Sequence, residues 1–185
     1  MALPSTASRR SLLPSFTLVC HSICLLPGAT ALNEEANTGT YFEDLYPGRV
    51  LRSPRSITMT AERISSFAQE FDPHPAHLSE ETARPTMFGR LCGSGWHTAA
   101  ATNRLIFETF HIADGGAGTG VEQLRWVRPV YPGDVLQAKI EILAARPSKS
   151  RPHAGVVTFR ATTLNQHHQP VQEFSSTILV PRRGE

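Results

Sequence analysis

The sequence has 185 residues, a suitable length for one domain or for one domain with a terminal extension. Hydrophobic residues make up 40% of it and charged residues 18%, and the net charge of +2 is too small to indicate a nucleic-acid-binding protein. Three cysteines cannot form a disulfide framework, and the composition also excludes a collagen, a coiled coil and a protein that spans the membrane several times.

Residues 1–40 have the features of an N-terminal extension, and we exclude them from the fold prediction. Two arginines precede an apolar stretch over residues 12–26, which is too short and too interrupted to span a bilayer. A signal peptide, a mitochondrial transit segment, a disordered extension and a misassigned start codon are all open interpretations. Cys20 and Cys24 are not predicted to bind a metal, because no second pair of ligands accompanies them.

The predicted domain, residues 41–185, begins with a strand and a helix. The strand covers residues 49–58 and contains Pro54, which confines it to a sheet edge or breaks it. Thr60 suits a helix N-cap, and apolar residues then recur at positions i, i+3, i+4 and i+7. The helix should end at Asp72, because the proline after it disfavours the α conformation at that residue.

Two more helices follow in the prediction. A short one covers residues 79–84, and a long one runs from Ser94 to about Ala113, where residues 114–116 (DGG) mark its end. Apolar side chains occupy nearly all sides of the long helix, which is typical of a buried helix.

The rest of the sequence predicts four antiparallel strands from alternating apolar and polar residues. They cover residues 121–127, 136–142, 157–161 and 174–180. One antiparallel sheet wrapped around one long buried central helix satisfies this order, which is an α+β, hot-dog-like layout. Such a sheet has an open edge, which a dimer with edge-to-edge sheets would cover.

Asp72 and His77 are the strongest candidates for chemistry. They lie five positions apart on a predicted loop that Pro73 and Pro75 stiffen. A carboxylate and an imidazole on one rigid turn can hold a water, remove one proton and deliver another, as the addition of water to a double bond requires. The alternative is a helix cap beside a surface histidine. His74 and His77 lack a third ligand with matching spacing, so no metal site is predicted.

Residues 93–95 (GSG) open the long helix. Glycines there allow close approach of the backbone, and free N–H groups at a helix start favour an anion, such as a thioester oxygen that gains charge. The alternative is a tight turn that packs the helix against the sheet.

Several segments together resemble the MaoC-like dehydratases, which include the (R)-specific enoyl-CoA hydratases. Residues 71–77 (FDPHPAH) resemble the Asp-x4-His motif of that family. The resemblance extends over residues 89–100 (GRLCGSGWHTAA), 122–130 (EQLRWVRPV), 132–134 (PGD), 146–152 (RPSKSRP) and 164–166 (LNQ). It spans residues 41–182, nearly the whole predicted domain.

The resemblance implies a hot-dog fold, a dimer and hydration of a trans-2-enoyl-CoA to a (3R)-hydroxyacyl-CoA. Asp72 and His77 match the catalytic pair, and Gly95 matches the residue whose backbone N–H serves the oxyanion hole. The family implies no metal or redox cofactor, because CoA arrives with the substrate. The chain has Ser94-Gly95 where the hydratases often have His-Gly, and Asn103 where some members have a serine.

Further residues are candidates for substrate binding. The resemblance makes Ser94 and Asn103 candidates, because they stand where family members have a histidine or a serine. Trp96 could line an acyl pocket, although an aromatic residue there also suits a core. Arg146, Lys149 and Arg151 could receive the phosphates of CoA, with a solvent-facing hairpin as the alternative.

Two other functions stay open beside the hydratase. One is a hot-dog thioesterase, which releases free CoA, and the other is an acyl-CoA-binding subunit without catalysis. The acyl-CoA substrate predicts a cytoplasmic protein, or a mitochondrial matrix protein if residues 1–40 are a transit segment.

Overall fold

The computed structural model of the chain describes residues 39–184. The predictions for the N-terminal extension as far as residue 38, with those for Cys20 and Cys24, lie outside the described residues. Thr40 already belongs to the domain, because it forms a bridge with Ile112 and donates its N–H to the His111 carbonyl at 2.8 Å.

Four α-helices lie between the second strand and the third in the described part of the chain. They are α1 (Ala61–Phe71), α2 (Pro75–Leu78), α3 (Glu80–Ala83) and α4 (Gly95–Phe110). The predicted start of α1 is confirmed, since the Thr60 hydroxyl accepts a hydrogen bond from the Arg63 N–H at 3.2 Å. The short helix predicted over residues 79–84 is confirmed as α3, which Ser79 caps. No helix within residues 39–184 is both long and apolar enough to cross a bilayer.

Six strands form one antiparallel sheet. They are β1 (Val50–Arg52), β2 (Ile57–Thr58), β3 (Ala117–Trp126), β4 (Val135–Pro147), β5 (Ala154–Leu164) and β6 (Pro170–Pro181). Their order in space is β1-β4-β5-β6-β3, and β2 also pairs with β4. The strand predicted over residues 49–58 is broken around Pro54, and its two pieces pair with the same neighbour.

Helix α4 packs on one face of this sheet, and the core lies between them. Ile106 and Phe110 of the helix join a cluster with Ile140 of β4 and Phe159 of β5, and the two phenylalanine rings meet edge to face at 5.1 Å. Alternate residues of β4 from Leu136 to Ile142 are buried, as the alternating pattern predicts. The arrangement is the predicted hot-dog fold.

The long helix is less buried than its sequence predicts. Trp96 is 58% exposed and Phe107 61% exposed, because the sheet of one chain covers only one side of α4. Strand β3 lies at the sheet edge on this open side, and most of its residues are exposed as well. The apolar residues on the outer side of α4 therefore border a groove beside β3.

The segment after α4 also differs from the prediction. The helix ends at Phe110, because His111 adopts a left-handed conformation (φ 43°) and terminates the helix before the predicted stop at residues 114–116. Strand β3 then begins at Ala117, four residues earlier than predicted, so that glycines expected in the loop lie in the strand.

Candidate active site

Two short segments carry the predicted catalytic pair. Asp72 is the C-cap of α1, and its N–H donates to the Ala68 carbonyl at 3.0 Å. His77 does not lie on a loop as predicted but within the single turn α2, because Pro75 is favourable at the start of a helix and His74 caps it. The pair is held by two helix ends rather than by proline stiffness alone.

The geometry of the pair defines the tautomer of His77. Its Nδ1 lies 2.8 Å from the carbonyl oxygen of Cys92, and a carbonyl only accepts, so Nδ1 carries the proton. The Nε2 atom then faces Oδ2 of Asp72, 3.9 Å away. That distance is too long for a direct hydrogen bond, and a single water can lie within hydrogen-bond distance of both atoms. The side chains are 12% (His77) and 32% (Asp72) exposed, so solvent reaches the carboxylate more readily.

Ser94 orients the carboxylate from the other side. Its hydroxyl donates to Oδ2 of Asp72 at 2.7 Å and accepts the Trp96 N–H at 3.0 Å, which makes it the N-cap of α4. Ser94 is fully buried and does not line the cavity described below, so it lies behind Asp72 rather than at the cavity wall, and its contact with substrate stays a prediction. In the structure, its hydroxyl holds Asp72.

The extended segment before α4 joins the pair to the helix. The Cys92 N–H donates to the Ala76 carbonyl at 3.0 Å while the Cys92 carbonyl accepts from His77. The Gly93 N–H donates to the Val130 carbonyl at 2.7 Å. Burial raises the pKa of the Cys92 thiol, so that it stays protonated beside the imidazole.

Gly95 opens α4 in close contact with Trp126. A Cβ atom at residue 95 would lie 2.5 Å from the Trp126 ring, so that only glycine fits there. The Gly95 N–H has no acceptor among residues 39–184 and belongs to the positive end of the helix dipole. The tight packing expected of residues 93–95 is therefore confirmed at Gly95, and the free donor leaves the anion-binding interpretation as a prediction.

These groups border one cavity of about 380 Å³. The predicted residues Asp72, His77, Gly95 and Trp96 all line it. The further lining residues are Phe88, Cys92, Gly93, Thr98, Trp126, Val127, Arg128, Pro129 and Val130. The residues from 126 to 130 were not predicted as site residues, although the segment belongs to the family resemblance and follows the end of a strand.

A buried polar chain behind the cavity was also missed. Trp126 donates its Nε1–H to Gln172 at 2.9 Å, and Gln172 donates to the Thr102 hydroxyl at 3.1 Å. The Thr102 hydroxyl lies 2.7 Å from that of Thr163. Because Gln172, Thr102 and Thr163 are fully buried, these bonds fix the position of the Trp126 ring.

Four predicted binding residues do not reach the cavity within one chain. Asn103 is exposed and lines a separate groove. Arg146, Lys149 and Arg151 lie at the hairpin between β4 and β5, whereas the cavity lies near the start of β4. The 13 residues of β4 separate the two ends by about 40 Å at roughly 3.3 Å per residue.

Comparison with known sequences gives both a family and relatives. Residues 43–165 match the family described as MaoC like domain. YdeM, an uncharacterised protein of Bacillus subtilis, is 33% identical over 136 residues, which cover 73% of this chain and 94% of YdeM. The (R)-specific enoyl-CoA hydratase of Rhodospirillum rubrum is 29% identical over 145 residues, which cover 78% of this chain and 94% of that enzyme.

Comparison with solved structures agrees with the sequence matches. The MaoC-like dehydratase from Rhodospirillum rubrum aligns with a TM-score of 0.74 and 43% sequence identity. The alignment covers 80% of this chain and 100% of that chain. Together the matches confirm the predicted family and the predicted fold.

Proposed function

This chain belongs to the MaoC-like domain family, and from that premise we propose that it is a hydro-lyase that adds water to a trans-2-enoyl-CoA and forms a (3R)-hydroxyacyl-CoA. The observation that carries the proposal is that Asp72, His77 and the free N–H of Gly95 border the same cavity. An acid–base pair opposite a fixed donor is what hydration of an unsaturated thioester needs. The reaction requires no metal or redox cofactor, since the thioester brings its own CoA.

The proposed mechanism uses the gap between His77 and Asp72. One water lies between Nε2 and Oδ2, and its oxygen attacks C3 of the enoyl group. The pair takes one proton from this water and delivers one to C2 on the same face, so that the net change is addition of H and OH. We assign the acid and base roles to the pair as a unit, because both side chains would contact the same water.

The donor at Gly95 would stabilise the charge that develops during this attack. Electrons from the C2=C3 bond move toward the thioester carbonyl, whose oxygen becomes enolate-like. The Gly95 N–H, at the positive end of α4, would donate to that oxygen. Loss of one such donor typically costs about 2.7–4 kcal/mol of barrier.

The test is an Asp72→Asn variant assayed on short, medium and branched trans-2-enoyl-CoAs. We expect a folded protein whose turnover is lower by about a hundredfold or more, because the amide cannot exchange the proton. Asp114→Asn is the matched control, since Asp114 is exposed in the turn after α4 and outside the cavity. Normal turnover by folded Asp72→Asn would refute the assignment, and release of free thiol in place of a (3R)-hydroxyacyl-CoA would favour a thioesterase.

We propose in addition that the protein acts as a homodimer through β3. This ten-residue strand is exposed at the sheet edge and pairs only with β6 among the described residues. Antiparallel pairing of two β3 strands about a twofold axis would bring the start of one next to the end of the other. The hairpin of the partner subunit, with its Arg146, Lys149 and Arg151, would then lie at the same end of the sheet as this chain's cavity.

A pair of valine variants tests the dimer. Val121→Lys puts a charge near the middle of β3 and should give a monomer in light scattering, with weaker binding of CoA thioesters. Val50→Lys is the matched control, because Val50 is a similarly exposed valine on β1 at the opposite edge. A dimer that survives Val121→Lys would contradict pairing through β3. We keep the cytoplasm as the proposed compartment, or the mitochondrial matrix if residues 1–40 are a transit segment.

A further inference from the structure

An apolar groove of about 690 Å³ lies between α4 and β3, next to the catalytic cavity. It follows the exposed side of α4 from Trp96 to Phe110, about 21 Å at 1.5 Å per residue. Its walls are mostly apolar, with Leu124 on β3, Phe159 on β5 and Ile178 on β6, and Asn103 and Ser176 are its polar side chains. Its size and lining suit an alkyl chain.

The groove and the catalytic cavity meet at one side chain. Trp96 is the single described residue that lines both. The polar cleft that adjoins the other side of the cavity contains Glu80, Arg90 and Asp134, which makes it unfavourable for an alkyl chain. An acyl chain that outgrows the catalytic cavity therefore has an apolar continuation past Trp96.

The two tryptophans at this point are held differently. Trp126 is fixed by its hydrogen bond to buried Gln172 and by its contact with Gly95. Trp96 touches the Trp126 ring edge to face at 5.3 Å, and its indole makes no hydrogen bond within residues 39–184. Trp96 is 58% exposed and Trp126 46% exposed, so the bond to Gln172 is what distinguishes them, and Trp96 can turn away while Trp126 remains in place.

We propose that Trp96 is a specificity-determining gate that closes the groove to the acyl chain and restricts the enzyme to short substrates. The inference rests on the proposed hydratase function and names the substrate class of the same site. With Trp96 against Trp126, the reacting carbons fit between His77 and Gly95, and a longer chain meets the indole. Removal of the indole joins the cavity and the groove into one apolar channel.

Three variants test the gate. Trp96→Ala removes the indole, and Trp96→Phe keeps an aromatic ring at the same place. Phe107→Ala is the matched control, because Phe107 is a similarly exposed ring on the same helix that lines the groove but not the catalytic cavity. The readout is the ratio of kcat/KM for trans-2-octenoyl-CoA to that for trans-2-butenoyl-CoA. We expect Trp96→Ala to raise this ratio at least about tenfold, since each methylene in an apolar pocket is worth about tenfold or more. Trp96→Phe and Phe107→Ala should stay within about threefold of the wild type.

A ratio that Trp96→Ala leaves unchanged, or that Phe107→Ala raises equally, would overturn the gate. Calorimetric binding of butanoyl-CoA and octanoyl-CoA separates this outcome from failure of the proposed function, because saturated thioesters cannot be hydrated. If the wild type hydrates none of the substrates, binding still tests the gate. An octanoyl-CoA affinity about tenfold higher in Trp96→Ala than in the wild type, with butanoyl-CoA affinity unchanged, would support it. Equal octanoyl-CoA affinities in the two proteins would overturn it. Light scattering on each variant must give the wild-type mass. A smaller mass for Trp96→Ala would assign the indole to the subunit interface and overturn the gate.

Discussion

Replacement of Gly95 by alanine should destabilise the protein through one contact, that with Trp126. The added methyl group would lie 2.5 Å from the indole, and helix α4 cannot retreat because its opposite side packs on the sheet. The Trp126 ring must therefore move. Its movement breaks the hydrogen bond to Gln172, whose amide oxygen then stays buried without a partner.

Two costs add up in this substitution. An extra methyl group in a packed site typically costs about 1–3 kcal/mol. A buried acceptor that loses its partner costs about 1–3 kcal/mol more, and the better helix propensity of alanine offsets up to about 1 kcal/mol of the sum. We expect the free energy of unfolding to fall by about 2–4 kcal/mol, or the melting midpoint by roughly 4–16 °C for a domain of this size.

A double-mutant cycle with Trp126→Ala tests this reasoning. Urea unfolding of the wild type, both single variants and the double variant gives the cost of Gly95→Ala with and without the indole. We expect that cost to fall to about zero in the Trp126→Ala background, where the methyl group has room. An equal cost in both backgrounds would refute the argument from Trp126 and place the strain in the backbone of α4.

Three further predictions concern polar groups. Ser94→Ala should cost about 0.5–2 kcal/mol of stability and Ser94→Gly only a few tenths, because glycine is a better cap than alanine. The two variants should lower kcat by the same factor, roughly tenfold to a hundredfold, because each removes the hydroxyl that holds the Asp72 carboxylate. A kcat that falls more in Ser94→Ala than in Ser94→Gly, in parallel with the loss of stability, would contradict this role. Burial, and to a lesser extent Arg63, lowers the pKa of His97, whose Nδ1 is buried without a partner in the described structure. The unfolded chain therefore takes up the proton first, and stability is lost as the pH falls below the ordinary histidine value of about 6.5. In urea titrations, the free energy of unfolding of His97→Phe should fall less between pH 7 and pH 5 than that of the wild type. An equal fall in both proteins would contradict the prediction. Gln172→Met should cost about 1–3 kcal/mol by urea unfolding, because Trp126 loses its anchor, whereas a neutral change would mean that the buried chain fixes nothing.

Local signals in the sequence predicted the parts of the fold that local physics determines. The cap at Thr60, the stop before Pro73 and the alternation along β4 depend on neighbouring residues, and the structure has each of them. The pair Asp72–His77 could be located from the end of α1 and the spacing that follows it, whereas Gly95 was singled out by the family resemblance. Their roles stay predictions until the variants above are assayed.

Contacts between distant parts of the chain could not be predicted in this way. Nothing near Trp126 in the sequence indicates that its ring packs on Gly95 and bonds to Gln172, 46 residues later. The burial of α4 was overestimated because an apolar pattern shows which sides avoid water but not whether the same chain covers them. The distance of Arg146 from the cavity likewise depends on the strand order, which periodicity does not give.

The double use of the Ser94 hydroxyl links catalytic competence to the local stability of one helix end. The group that closes the first turn of α4 also anchors Asp72, so that fraying of this turn releases the carboxylate. Helix ends open locally at a much lower free energy than the whole domain needs to unfold. Under the proposed function, activity should therefore disappear in mild denaturant while the sheet is intact, because only molecules in which this turn is closed hold the Asp72 carboxylate in place.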